Sequence, residues 1–147
     1  MSISGTTPPM SFAHDLESGH YFVTTNPYGN AVILDIRLTK YEVVKLKSGI
    51  VKLSNDGVKY EKFIFEDLQF SPPTNPNCGF AKLLGCNNFY RYTAELRLGK
   101  NSTINIPQKI GDKIWIIPPQ IIYDDKVIKL ETVVFENKKK YWLTPLL

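Results

Sequence analysis

The feature that most limits what this chain can fold into is a period of two. It recurs in many short runs, with no long run of period 3.6 beside it. Val32, Leu34, Ile36 and Leu38 alternate with Ile33, Asp35 and Arg37. Tyr90, Tyr92, Ala94, Leu96 and Leu98 alternate with Arg91, Thr93, Glu95 and Arg97 in the same way. Successive side chains of a strand point to opposite faces, so each run reads as a strand with one buried face. Shorter runs of β-branched and aromatic residues read likewise at 21–25, 41–47, 50–53, 58–65, 102–106, 121–123, 126–135 and 140–143. Residues 113–117 are almost continuously apolar, which predicts burial on both faces.

Turn chemistry separates the runs. Asn26-Pro27-Tyr28-Gly29-Asn30, Asp56-Gly57, Gly99-Lys100-Asn101 and Asp124-Asp125 each carry residues that tolerate tight or left-handed backbone. Asp56-Gly57 predicts a two-residue hairpin turn with positive φ at both central positions. The sum is an all-β, single-domain fold, either an antiparallel barrel (OB-like or similar) or a β-sandwich. Residues 1–19, with Gly5, Pro8 and Pro9, read as a flexible N-terminal arm, with one helical turn conceivable over 12–17. Residues 20–147 read as the domain, and 71–88, rich in Pro, Asn and Gly, as one long loop within it.

A chain of 147 residues fits one domain and needs no disulfide or metal to bury a core. The net charge is +4, and 15 of the 18 basic residues are lysines. That excess gives weak attraction for polyanions and falls short of a strongly basic tail. No apolar run approaches the ~18 residues of a membrane span. The opening Met-Ser-Ile-Ser-Gly has neither a basic region nor an apolar stretch, so a cytoplasmic location with reduced Cys78 and Cys86 is expected. Richness in Asn, Lys, Ile and Tyr hints at a viral or plasmid source.

Catalytic groupings are sparse. His14, His20, Cys78 and Cys86 do not have the paired spacing of a zinc site. Either cysteine would need a distant histidine to become a nucleophile. Glu66-Asp67 and Asp124-Asp125 are adjacent pairs, which in a strand would point to opposite faces and share no site. No cofactor and no metal are expected, and the chain reads as a binding protein rather than an enzyme.

Single-stranded nucleic acid is the ligand predicted first, because basic and aromatic residues interleave. Phe89, Arg91, Arg97, Lys138, Lys139, Lys140 and Trp142 are the predicted contacts. The basic side chains would hold phosphates, while Phe89 and Trp142 would stack on bases. Alternation sends Tyr90 and Tyr92 to the apolar face and out of that set. The alternative is a protein-interaction module, such as an inhibitor, a viral accessory protein or an assembly subunit. It would use the 71–88 loop, with Phe80, Leu83 and Leu84 inserting into a partner.

Overall fold

A computed structural model describes residues 10–74 and 88–138. These form twelve strands and no helix. The strands are β1 (Met10–Leu16), β2 (Gly19–Asn26), β3 (Ala31–Leu38), β4 (Val44–Leu46), β5 (Ile50–Ser54) and β6 (Glu61–Ile64). They continue with β7 (Gln69–Ser71), β8 (Tyr90–Arg97), β9 (Lys113–Ile117), β10 (Ile121–Tyr123), β11 (Lys126–Ile128) and β12 (Val133–Glu136). All pairing is antiparallel, in three sheets ordered β1-β2-β3-β8-β7, β11-β10-β4 and β12-β9-β5-β6.

The core follows from the alternation. Tyr21, Val23, Leu34 and Ile36 of the first sheet are fully buried, as are Val51, Leu53, Ile114 and Ile116 of the third and Ile121 of the second. They form one cluster, so the buried face of the first sheet meets those of the other two in a sandwich-like arrangement. Among the described residues no sheet closes into a barrel, because in each of the three the first and last strands of the order are not paired with each other. Two phenols tie the layers together. Tyr21 donates to the Pro119 carbonyl at 3.0 Å, and burial pushes its pKa far above the ordinary value. Tyr123 hydroxyl bonds both the backbone N–H (2.9 Å) and the side chain (2.5 Å) of Ser18.

Several expectations are corrected. Residues 10–16, expected within an irregular arm, are a strand paired with β2 along its whole length, from Met10↔Thr25 to Leu16↔Gly19. Residues 102–106 bury Ile104 and Ile106 but form no strand. There the Asn55 side chain takes the place of a neighbouring strand. It accepts from Asn105 N–H and donates to the Asn105 carbonyl, each at 2.9 Å. β9 is buried on one face only, since Trp115 and Ile117 are half-buried.

The Asp56-Gly57 connection is a longer loop than a two-residue turn, because Leu53 pairs with Glu61. Ser54 Oγ accepts from Asp56 and Gly57 N–H, and Asp56 Oδ1 accepts from Val58 and Lys59 N–H. Only Gly57 there has positive φ, at 77°. The two-residue turn with both φ positive is instead Asp124-Asp125, at 52° and 57°. The strand expected over 126–135 splits, with β11 pairing to β10 and β12 to β9.

Candidate nucleic-acid interface

The basic residues of β8 sit on the outer face of the first sheet. Arg91 lies directly opposite Arg37 in the register, an arrangement that like charges disfavour. Asp35 resolves it. Arg91 grips its carboxylate with both Nη2 (2.8 Å to Oδ2) and Nε (3.3 Å to Oδ1), and Arg37 Nε reaches Oδ2 at 3.0 Å. The Arg37 guanidinium also lies 4.9 Å from the centre of the Phe22 ring. Asp35 is buried, and it leaves two guanidinium groups sharing one carboxylate. Arg97 pairs with Glu95 at 3.3 Å and lies six positions from Arg91, roughly 20 Å along the strand.

Next to these residues the outer face turns acidic. A cavity of about 430 Å³ is lined by Glu66, Asp67 and Glu95 together with Ile33, Gln69 and Thr93. Glu66 and Asp67 therefore do share a site, contrary to expectation, because 65–68 is irregular and strand alternation does not apply. The set Phe89, Arg91 and Arg97 is thus not part of a continuous positive groove. Phe89 is exposed just before β8.

Lys138 is not on the sheet that carries Arg91. It follows β12 in the third sheet, with Nζ 4.0 Å from Glu136. There it joins a surface that sequence reading did not assemble. Inner and outer positions alternate, so the outer face of β12-β9-β5-β6 carries Val134, Trp115 and Lys113 from its first two strands and Lys52, Lys62 and Ile64 from the others. Lys52 and Lys62 are directly opposite one another, and among the described residues neither has a carboxylate within ion-pair distance. Lys113 lies 4.0 Å from Glu136 and 6.0 Å from the centre of the Trp115 ring.

Gly57 positions that ring. A Cβ at residue 57 would come within 2.9 Å of Trp115 Cε2, so glycine lets the 54–59 loop lie against the indole. Asp56, at the same loop, is fully engaged within it. Its carboxyl is held below the usual range by the Val58 and Lys59 amides first and by Ser54 next. The signal in the sequence is Lys52, alternating with buried Val51 and Leu53, and Lys62, beside half-buried Phe63. Their juxtaposition depends on a register that the Asp56-Gly57 pattern mispredicted.

A second grouping lies where the long loop leaves and rejoins the first sheet. Tyr41 meets Phe70 and Tyr90 edge-on at 5.8 and 5.9 Å, and Phe70 stacks on Tyr90 at 6.5 Å. Tyr41 and Phe70 are exposed. Behind them Tyr92 donates to the Glu42 carbonyl at 2.7 Å, and its pKa is raised by burial first and the Tyr41 phenol next. Phe80, Leu83 and Leu84, and also Lys139, Lys140, Trp142, Cys78 and Cys86, lie outside the described residues.

His14 and His20 do not converge. His20 faces outward, with Nδ1 2.9 Å from Asp15, while His14 lies on the opposite face of the hairpin, across from Tyr21. Among the described residues no group of three or more His, Cys, Asp or Glu is placed to hold a metal ion, and there is no helix long and apolar enough to cross a membrane. No protein-family model matches the chain, and no curated protein or solved structure matches it either.

Proposed function

We propose that this chain is a non-catalytic binding protein for single-stranded nucleic acid, held on the outer face of β12-β9-β5-β6 in a β-sandwich. The observation that carries the reading is the cross-strand pair Lys52–Lys62, which has no ion-pair partner among the described residues, on the face that also presents Lys113, Lys138 and Trp115. Like charges directly opposite cost stability in the free protein. A phosphate chain laid over them removes that cost and releases its counterions. Trp115 supplies a ring on which a base can stack, a contact worth ~1–3 kcal/mol. Arg91 and Arg97 drop out of the proposed contacts because each is paired with a carboxylate, Asp35 or Glu95, and Phe89 drops out with them because it lies beside that face.

The test is fluorescence anisotropy of a labelled oligothymidylate against the full chain at rising salt. Affinity is expected to fall steeply between about 50 and 200 mM salt, and Lys52→Ala or Lys62→Ala to reduce the log–log slope by about 0.7 each. Absence of binding at the lowest salt ends the proposal.

A protein partner is the second reading. It is favoured by the exposed rings of Tyr41 and Phe70 at the base of the 71–88 loop. On that reading Tyr41→Ala abolishes partner capture while Lys52→Ala leaves it intact.

A further inference from the structure

Among the described residues the three sheets have six edge strands, and five of them are short. β4, β7 and β11 have three residues each and β6 and β12 four. β4, β6 and β11 also carry Lys45, Lys62 and Lys126, and β7 runs into Pro72-Pro73. Short length, lysine and proline are the usual guards against strand-to-strand association. β1 has none of them. It is seven residues long, pairs with β2 without a bulge and contains no Lys, Arg, Pro or Gly.

The hairpin geometry says which of its backbone groups are open. Two residues, Glu17 and Ser18, join β1 to β2, so Leu16 and Gly19 are the hydrogen-bonded pair beside the turn. Bonding then alternates. Phe12, His14 and Leu16 bond to β2, while Ser11, Ala13 and Asp15 aim N–H and C=O away from the sheet. Among the described residues β1 pairs with no other strand.

We propose that β1 is a self-association edge, through which two copies of this chain pair antiparallel about a two-fold axis at Ala13. In that register every open group finds an open group. Ala13 faces the second copy's Ala13, and Ser11 faces its Asp15, giving about six backbone hydrogen bonds. Phe12, exposed in the single chain, meets the second copy's His14. The charges agree as well, since each Asp15 carboxylate lies across from a serine hydroxyl. Centring the axis on Asp15 would oppose two carboxylates, and centring it on Phe12 or His14 would pair only two of the three open residues of each strand within β1, giving about four backbone hydrogen bonds. The product is one ten-stranded sheet with the two third sheets on the same side of it, because an axis of this kind stands perpendicular to the sheet.

Sedimentation velocity of the full chain across a concentration series tests this. A species of twice 16.8 kDa is expected to grow with concentration. Ala13→Pro removes an N–H that faces the open edge, so it is expected to leave the monomer folded by circular dichroism and to abolish the dimer. Charge variants read the register: Ser11→Asp opposes Asp15 and weakens dimerisation about tenfold across the two symmetric pairs, whereas Ser11→Lys strengthens it. A monomer at every soluble concentration overturns the proposal. So does a dimer that Ala13→Pro and both Ser11 variants leave unchanged.

Discussion

Asp35 decides the character of the first sheet's outer face. The alternation of β3 placed Asp35 and Arg37 on that face from sequence alone. The partner that matters, Arg91, is 56 positions away, and nothing local announces it. Replacing the carboxylate by an amide leaves two guanidinium groups facing each other with their countercharge gone and one acceptor oxygen exchanged for an NH2 donor. Asp35→Asn is therefore expected to cost about 1–3 kcal/mol in urea unfolding, below the full cost of a deeply buried pair because both arginines reach solvent. Asp56 gives the pH dependence. Its folded pKa is depressed, so its contribution is present above the ordinary carboxylate value of about 4 and is lost as pH falls through the folded value. Asp56→Ala is expected to lower Tm at neutral pH. The gap to the parent chain should close on acidification below that value, as followed by thermal melts at several pH values.

Among the elements, β3, β8 and the turn at Asp124-Asp125 were legible because each is specified by its own residues. β1 was missed although Phe12, His14 and Leu16 alternate with Ser11, Ala13 and Asp15. Only part of that stripe is apolar, and Gly5, Pro8 and Pro9 upstream read as punctuation. Residues 102–106 misled in the opposite direction, since their pattern is strand-like and their hydrogen bonds go to an asparagine side chain. The contact of the 54–59 loop with β9 shows the same dependence on tertiary context. Gly57 has φ of 77° and no room for a Cβ beside Trp115. Gly57→Ala is expected to cost about 1–2 kcal/mol in backbone strain. It also moves the indole, which a shift in tryptophan emission would report, and oligonucleotide affinity should fall with it.

At the scale of the whole molecule, the location of the site was the part least open to sequence reading. Both Arg91 and Lys138 are basic and near aromatic residues in the chain, yet they belong to different sheets. Which of two basic stretches is already neutralised depends on cross-strand neighbours, and those depend on topology. Substitution separates the two faces. Arg97→Ala is expected to leave oligonucleotide affinity within about twofold, whereas Lys52→Glu with Lys62→Glu lowers it by at least about tenfold, measured in the same anisotropy titration.

The order of the largest sheet also has a consequence in time. β1, β2 and β3 are consecutive in the chain and can pair as soon as they are made. Their neighbour β8 arrives only after 38 has been followed by 90, for Leu38 pairs with Tyr90. The apolar side of the early meander, with Tyr21, Val23, Leu34 and Ile36, is covered in the folded chain by the other two sheets, whose strands β9 and β10 are made later still. Closure of so long a loop is what makes such topologies slow, in the millisecond-to-second range. A ribosome adding about 5–20 residues per second takes several seconds to supply the missing strands. During synthesis, then, the pace of translation rather than the intrinsic folding rate sets how long that surface is bare, and a chaperone that engages nascent apolar segments has its window there.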